Sequence, residues 1–109
     1  MMGAAPKHDV YQAIADPSRR EMLKLLSHSD SSIKEICEHF TISRTAIVKH
    51  LNVLSDAELV SDRKAGREKI YSLQPEQLLE VKEWVSYFEQ FWDNKLSMLK
   101  HMVEEEPND

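Results

Sequence analysis

Arg44, Thr45, Val48, Lys49 and Asn52 recur at spacings that place them on one face of a helix. Their chemistry is outward hydrogen bonding. A guanidinium matches the O6 and N7 acceptors of guanine, hydroxyl and ammonium groups suit phosphate oxygens, and an apolar Val48 can meet a thymine methyl. Ser43 and His50 flank the set; Ser43 serves as contact or cap, and His50 meets phosphate or packs beneath the hairpin that follows. That hairpin carries Arg63, Lys64 and Arg67 within five residues, with Lys69 just beyond. Such cations hold the DNA backbone or enter a narrow minor groove. These ten residues (Ser43, Arg44, Thr45, Val48, Lys49, His50, Arg63, Lys64, Arg67 and Lys69) are the expected DNA contacts. Arg19 and Arg20 are expected instead at the surface or in ion pairs.

Other chemistries find little support. Gly3 and Gly66 are the only glycines, so no glycine-rich phosphate loop can form, and neither HExxH nor GxSxG occurs. No enzyme is expected. Cys37-Glu38-His39 offers one thiolate and one imidazole, whereas a tetrahedral metal site needs about four ligands. No metal and no cofactor are therefore expected. Cys37 reads as a small apolar residue beside Ile36 and Phe40. A metal- or redox-responsive repressor using Cys37, its thiol activated by Lys34, is kept as an alternative.

A formal net charge of −5 is unusual for a nucleic-acid binder. Its distribution resolves the conflict. Residues 41–70 hold six Lys/Arg against four Asp/Glu, while residues 71–109 hold three against nine. Salt screens charges beyond roughly 8–10 Å, so an acidic tail remote from the cationic segment is tolerable. The 109-residue length suits one small domain. With no secretory signal, no membrane-spanning run and a single cysteine, the expected location is the cytoplasm, with no membrane partner.

The elements that must position these residues follow from caps and periodicity. A loose tail is expected over 1–8 and a short amphipathic piece over 9–15. Asp16-Pro17 caps a helix over 18–27 whose core face is Met22, Leu23, Leu25 and Leu26. After the turn Ser29-Asp30-Ser31, Ser32 and Glu35 have capping-box spacing for a helix over 33–40. Thr41-Ile42-Ser43 leads to the recognition helix, 43–57, which buries Ile47, Leu51 and Leu54. The wing, 59–73, is a pair of strands with Tyr71 in the core. The fold class is mainly α with a small β-hairpin, a winged helix-turn-helix over 9–74. A long helix over 75–104 and an acidic tail over 105–109 complete it.

That last helix carries two apolar stripes. One is Leu78, Val81, Val85, Phe88, Trp92, Leu96, Leu99 and Val103; the other is Trp84, Phe91 and Met98. One face is expected to pack inward and the other on a symmetry mate, so the terminal helices dimerise through Val85, Phe88, Trp92, Leu96 and Leu99. A homodimer on double-stranded DNA is the leading reading, and an unidentified small-molecule inducer is left open. The rival is a protein-interaction winged helix with an incidental wing.

The chain resembles the ArsR/SmtB-type winged-helix repressors of bacteria. The match is carried by Asp16-Pro17-Ser18-Arg19-Arg20 before Met22-Leu23-Lys24-Leu25-Leu26, then Glu35-Ile36-Cys37 and Phe40. It continues through Ile42-Ser43-Arg44-Thr45-Ala46-Ile47, Lys49-His50-Leu51, Val53-Leu54 and Leu59-Val60. Arg63, Gly66-Arg67 and Tyr71-Ser72-Leu73 complete it. The resemblance implies a cytoplasmic homodimer that represses from an inverted-repeat operator. Val48 replaces a usual Ser, and Glu58 replaces a usual Gly, which should alter the helix end before the wing. The Cys-x-Cys box of the metal sensors is missing, and the aromatic last helix resembles the non-metal members.

Overall fold

The computed structural model describes residues 8–105, without the side chains of Asn94, Leu96, Ser97 and Glu105. It divides after Leu79 into two compact units. The first contains α1 (Val10–Ala13), α2 (Pro17–His28), β1 (Ser31–Ser32), α3 (Ile33–Cys37), α4 (Arg44–Asp56), β2 (Val60–Ala65) and β3 (Glu68–Leu73). A single 3-10 turn, Pro75–Gln77, leads to α5 (Leu78–Glu105).

Local hydrogen bonding starts each early helix. Asp9, Asp16, Ser32 and Ser43 all accept a backbone N–H of the turn they precede, and Asp9 and Ser32 form reciprocal capping boxes with Gln12 and Glu35. Side chains of Met22, Ile36, Ile47, Leu51, Leu54 and Leu59 are fully buried and tie α2, α3, α4 and the sheet into one core. Each such side chain contributes about 1.5–3 kcal/mol by leaving water. Tyr71 joins them, and burial pushes its phenol pKa above 10.0.

At the end of α4, Glu58 itself adopts the left-handed conformation, at φ 62°. Leu59 N–H donates to the Leu54 carbonyl at 2.9 Å and Glu58 N–H to that of Ser55 at 3.0 Å, the Schellman pattern. The hydrophobic partner is present too, because Leu54 and Leu59 are both fully buried. Burial of that pair holds the backbone where a side chain is disfavoured.

The sheet is also larger than the expected hairpin. Its order is β1-β3-β2, all antiparallel, with Ser31 opposite Tyr71 and Ser32 opposite Ile70. The expected turn Ser29-Asp30-Ser31 thus ends in a strand, which two serines alone do not signal. The wing tip is a two-residue turn: Ala65 pairs with Glu68, leaving only Gly66-Arg67 between the strands. Gly66 has φ +67° while Arg67 does not, the pattern of a type II′ hairpin.

Other boundaries shift modestly. Helix α3 stops at Cys37 because the following amides, His39 and Phe40, bond three residues back. Leu25, expected in the core, is half-buried. Of the expected tail, residues 1–7 lie outside the described residues. His8 is anchored, its backbone N–H donating to the Asp56 carboxylate at 2.7 Å. Of the expected acidic tail over 105–109, Glu105 ends α5 and residues 106–109 lie outside the described residues.

From Glu80 onward α5 belongs to the second unit; its 28 residues span about 42 Å at 1.5 Å per residue. Leu78, Val81, Val85 and Phe88 are half-buried. Trp84, Tyr87, Phe91, Trp92, Met98, Leu99, Met102 and Val103 are exposed. Phe88 meets Trp84 and Tyr87 edge to face, with ring centroids 5.2 and 5.1 Å apart. No helix among the described residues is long and apolar enough to cross a membrane.

Candidate nucleic-acid interface

Helix α4 presents the polar side chains that its spacing implies. With Ile47, Leu51 and Leu54 turned inward, Arg44, Thr45, Lys49 and Asn52 are exposed and Val48 is half-buried among them. Among the described residues Arg44, Thr45 and Lys49 have no hydrogen-bond or ion-pair partner, so their donors face solvent. Ser43 is largely committed: its Oγ accepts the Ala46 N–H at 3.1 Å. Its hydroxyl proton remains available to an acceptor beyond the helix end.

In the wing the four cations divide. Lys64 and Arg67 are exposed and have no partner among the described residues. Arg63 donates to Asp30 at 2.9 Å and to the Ser72 hydroxyl at 3.1 Å, tying the wing to the loop before β1. That pairing with Arg63 and Ser72 holds the Asp30 carboxyl below its usual pKa. Lys69 pairs with Asp62 at 3.3 Å across the hairpin. Both ion pairs are exposed, so solvent screens them.

Arg19 and His50 have partners around α1 and the start of α2. Arg19 donates through Nε to the Ala13 carbonyl at 2.7 Å and through a terminal nitrogen to the Gln12 carbonyl at 3.2 Å. Its other terminal nitrogen lies 3.1 Å from His50 Nδ1, and His50 Nε2 lies 4.0 Å from Asp16. Burial raises the Asp16 pKa, but the Arg19 N–H, the charges of His50 and Arg19 and the Ser18 N–H outweigh it and lower it overall. His50 is thus held near the start of α2 by Arg19 and Asp16. Arg20 similarly donates to the Ile14 carbonyl at 2.8 Å. Arg19 and Arg20 thus close the end of α1, a use of arginine that sequence spacing does not reveal.

Cys37 is half-buried with a free thiol. Among the described residues no three of His, Cys, Asp and Glu gather where an ion could be held.

This arrangement of a capped, outward-facing helix beside a basic two-stranded wing matches known proteins. The sequence profile of the bacterial regulatory proteins of the arsR family matches residues 16–62. The transcriptional repressor SdpR of Bacillus subtilis is 40% identical over 89 residues, covering 82% of this chain and 99% of SdpR. The chain belongs to the ArsR family. A second relative, the HTH-type transcriptional regulator Rv2034 of Mycobacterium tuberculosis, is 32% identical over 91% of this chain and 90% of its own. Among solved structures, an ArsR-like transcriptional regulator from Rhodococcus sp. RHA1 superposes with a TM-score of 0.68 at 32% identity, covering 90% of each chain. As an ArsR-family member this is a DNA-binding transcription regulator with a winged helix-turn-helix fold, and not an enzyme.

Proposed function

We propose that the protein is a homodimeric repressor that binds an inverted-repeat operator, with α4 in the major groove and the wing on the backbone or in the minor groove. The observation that carries this reading is the uncommitted donor set at the head of α4. Among the described residues Arg44, Thr45 and Lys49 are exposed without partners, on the same unit as Lys64 and Arg67, which are likewise unpaired there. Arg44 is the base-reading residue, and Lys49 and the wing cations hold phosphate. Val48 contacts a thymine methyl. Ser43 contributes its hydroxyl proton to a backbone oxygen. His50, held by Arg19, orients α4 rather than touching DNA.

Repression is supported by SdpR, a repressor that matches this chain over nearly its whole length. The exposed aromatic surface of α5 supports the dimer, because apolar area of that extent marks an interaction site. Two α4 helices so joined would read half-sites about 34–36 Å apart.

The test is selection of bound sequences from random duplex DNA by the purified protein. An enriched inverted repeat with half-sites one turn apart is expected. No enrichment from folded, dimeric protein would overturn sequence-specific binding and favour a protein-interaction role for the exposed helix.

A further inference from the structure

Strand β1 brings together two cationic segments that a lone hairpin would leave apart. Because Ser32 lies opposite Ile70, the first turn of α3 is set beside the inner strand of the wing. Between them opens a cleft of about 410 Å³, bordered by Lys34, Arg44, Arg67, Lys69 and Glu68. Four cations from three elements thus face one carboxylate, in a chain whose net charge is −5.

We propose that this cleft seats one phosphodiester of the DNA backbone and that Lys34 is a DNA contact. The inference rests on the DNA-binding reading above. Among the described residues Lys34, Arg44 and Arg67 have no carboxylate partner, and only Lys69 is paired, with Asp62. Like charges gathered at one cleft repel, and an anion between them relieves that repulsion. The cleft also adjoins the proposed interface, since Arg44 opens α4 and Arg67 stands at the wing tip. A backbone running from α4 to the wing would pass over it. Such a contact fixes register without reading sequence. Lys34 is exposed on α3, so its removal leaves the core intact.

The experiment measures affinity for the selected operator and for a scrambled duplex across a range of salt. It compares the wild type, Lys34→Gln, Lys34→Arg and Glu68→Gln. Lys34→Gln should weaken both duplexes by the same factor and reduce the slope of log affinity against log salt by about 0.9. Lys34→Arg should retain the slope, and Glu68→Gln should tighten both duplexes. Wild-type affinity and slope in Lys34→Gln would overturn the proposal while leaving the DNA-binding reading intact. So would a loss confined to the operator with an unchanged slope. Wild-type protein that binds neither duplex would remove both readings together. Saturable binding of inorganic phosphate that Lys34→Gln abolishes, with DNA affinity unchanged, would give the cleft to a small phosphate ligand and overturn the backbone contact.

Discussion

Two acidic residues carry backbone strain in one case and an ion pair in the other. Glu58 sits at φ 62°, where an L side chain costs about 1–2 kcal/mol relative to ordinary helical backbone. Glycine removes that strain but adds about 0.5–1 kcal/mol of unfolded-state entropy. Glu58→Gly should therefore stabilise the protein by about 0.5–1 kcal/mol, read as a higher urea midpoint; a lower midpoint would show that Glu58 makes a compensating contact. Asp30 is the ion-pair partner of Arg63, one of the proposed DNA contacts. Pairing with Arg63 and Ser72 lowers its folded pKa below 3.8. A carboxyl lowered in this way stabilises the fold above its unfolded pKa, and the contribution is lost as pH falls through the folded value. Asp30 should titrate below 3.8 by NMR and return towards 3.8 in Arg63→Gln. An unmoved titration would mean that Arg63 is not its partner in solution. The caps at Asp16, Ser32 and Ser43 were legible in sequence because their bonds span three residues. The partners of Arg63 and His50 were not, since they lie 33 and 31 residues away.

At the scale of elements, periodicity identified α2 and α4 because each buries one continuous face. It missed β1, whose two serines carry no strand signal and become a strand only when β3 arrives alongside. That addition matters for the site, because it joins the wing to the helix-turn-helix. Helix α4 is held on one side by Ile47, Leu51 and Leu54 and at its middle by His50 through Arg19. Its exposed head can then hold Arg44 at a fixed angle to a base edge. Arg44→Ala should cost about 1–3 kcal/mol of operator affinity and relax specificity at one base pair. The check is affinity across a panel of single-base operator variants. Equal loss on every duplex would instead make Arg44 a phosphate contact, sharing the cleft with Lys34. Thermal unfolding should be unchanged, because the side chain is exposed and has no partner among the described residues to lose.

For the molecule as a whole, charge and apolar surface are segregated. The sequence disclosed both, as a cationic 41–70 segment and a doubly apolar last helix. It did not show which apolar face would remain exposed. Along α5, Val85 and Phe88 of the expected dimer stripe are half-buried, while Trp92 and Leu99 are 48% and 57% exposed. Leu96 belongs to the same stripe, but its side chain lies outside the described residues. Trp84 and Phe91, of the other stripe, are exposed as well, at 57% and 53%. An interface built from either set would cover aromatic area that a monomer leaves in water. Trp92→Glu combined with Leu99→Glu places two like charges in a face that must be dehydrated on pairing, a change borne poorly without partners. Sedimentation should show the variant as a monomer with its first unit still cooperatively folded. Operator affinity should then fall by roughly 10²–10⁴-fold, because the second half-site no longer benefits from tethering to the first. Binding to a single half-site should be nearly unaffected. A variant that stays dimeric would shift the interface to the Trp84 and Phe91 face, for which Trp84→Glu with Phe91→Glu is the matching substitution. If both variants remain dimeric, α5 is not the element that joins two copies, and its exposed aromatics serve a different partner.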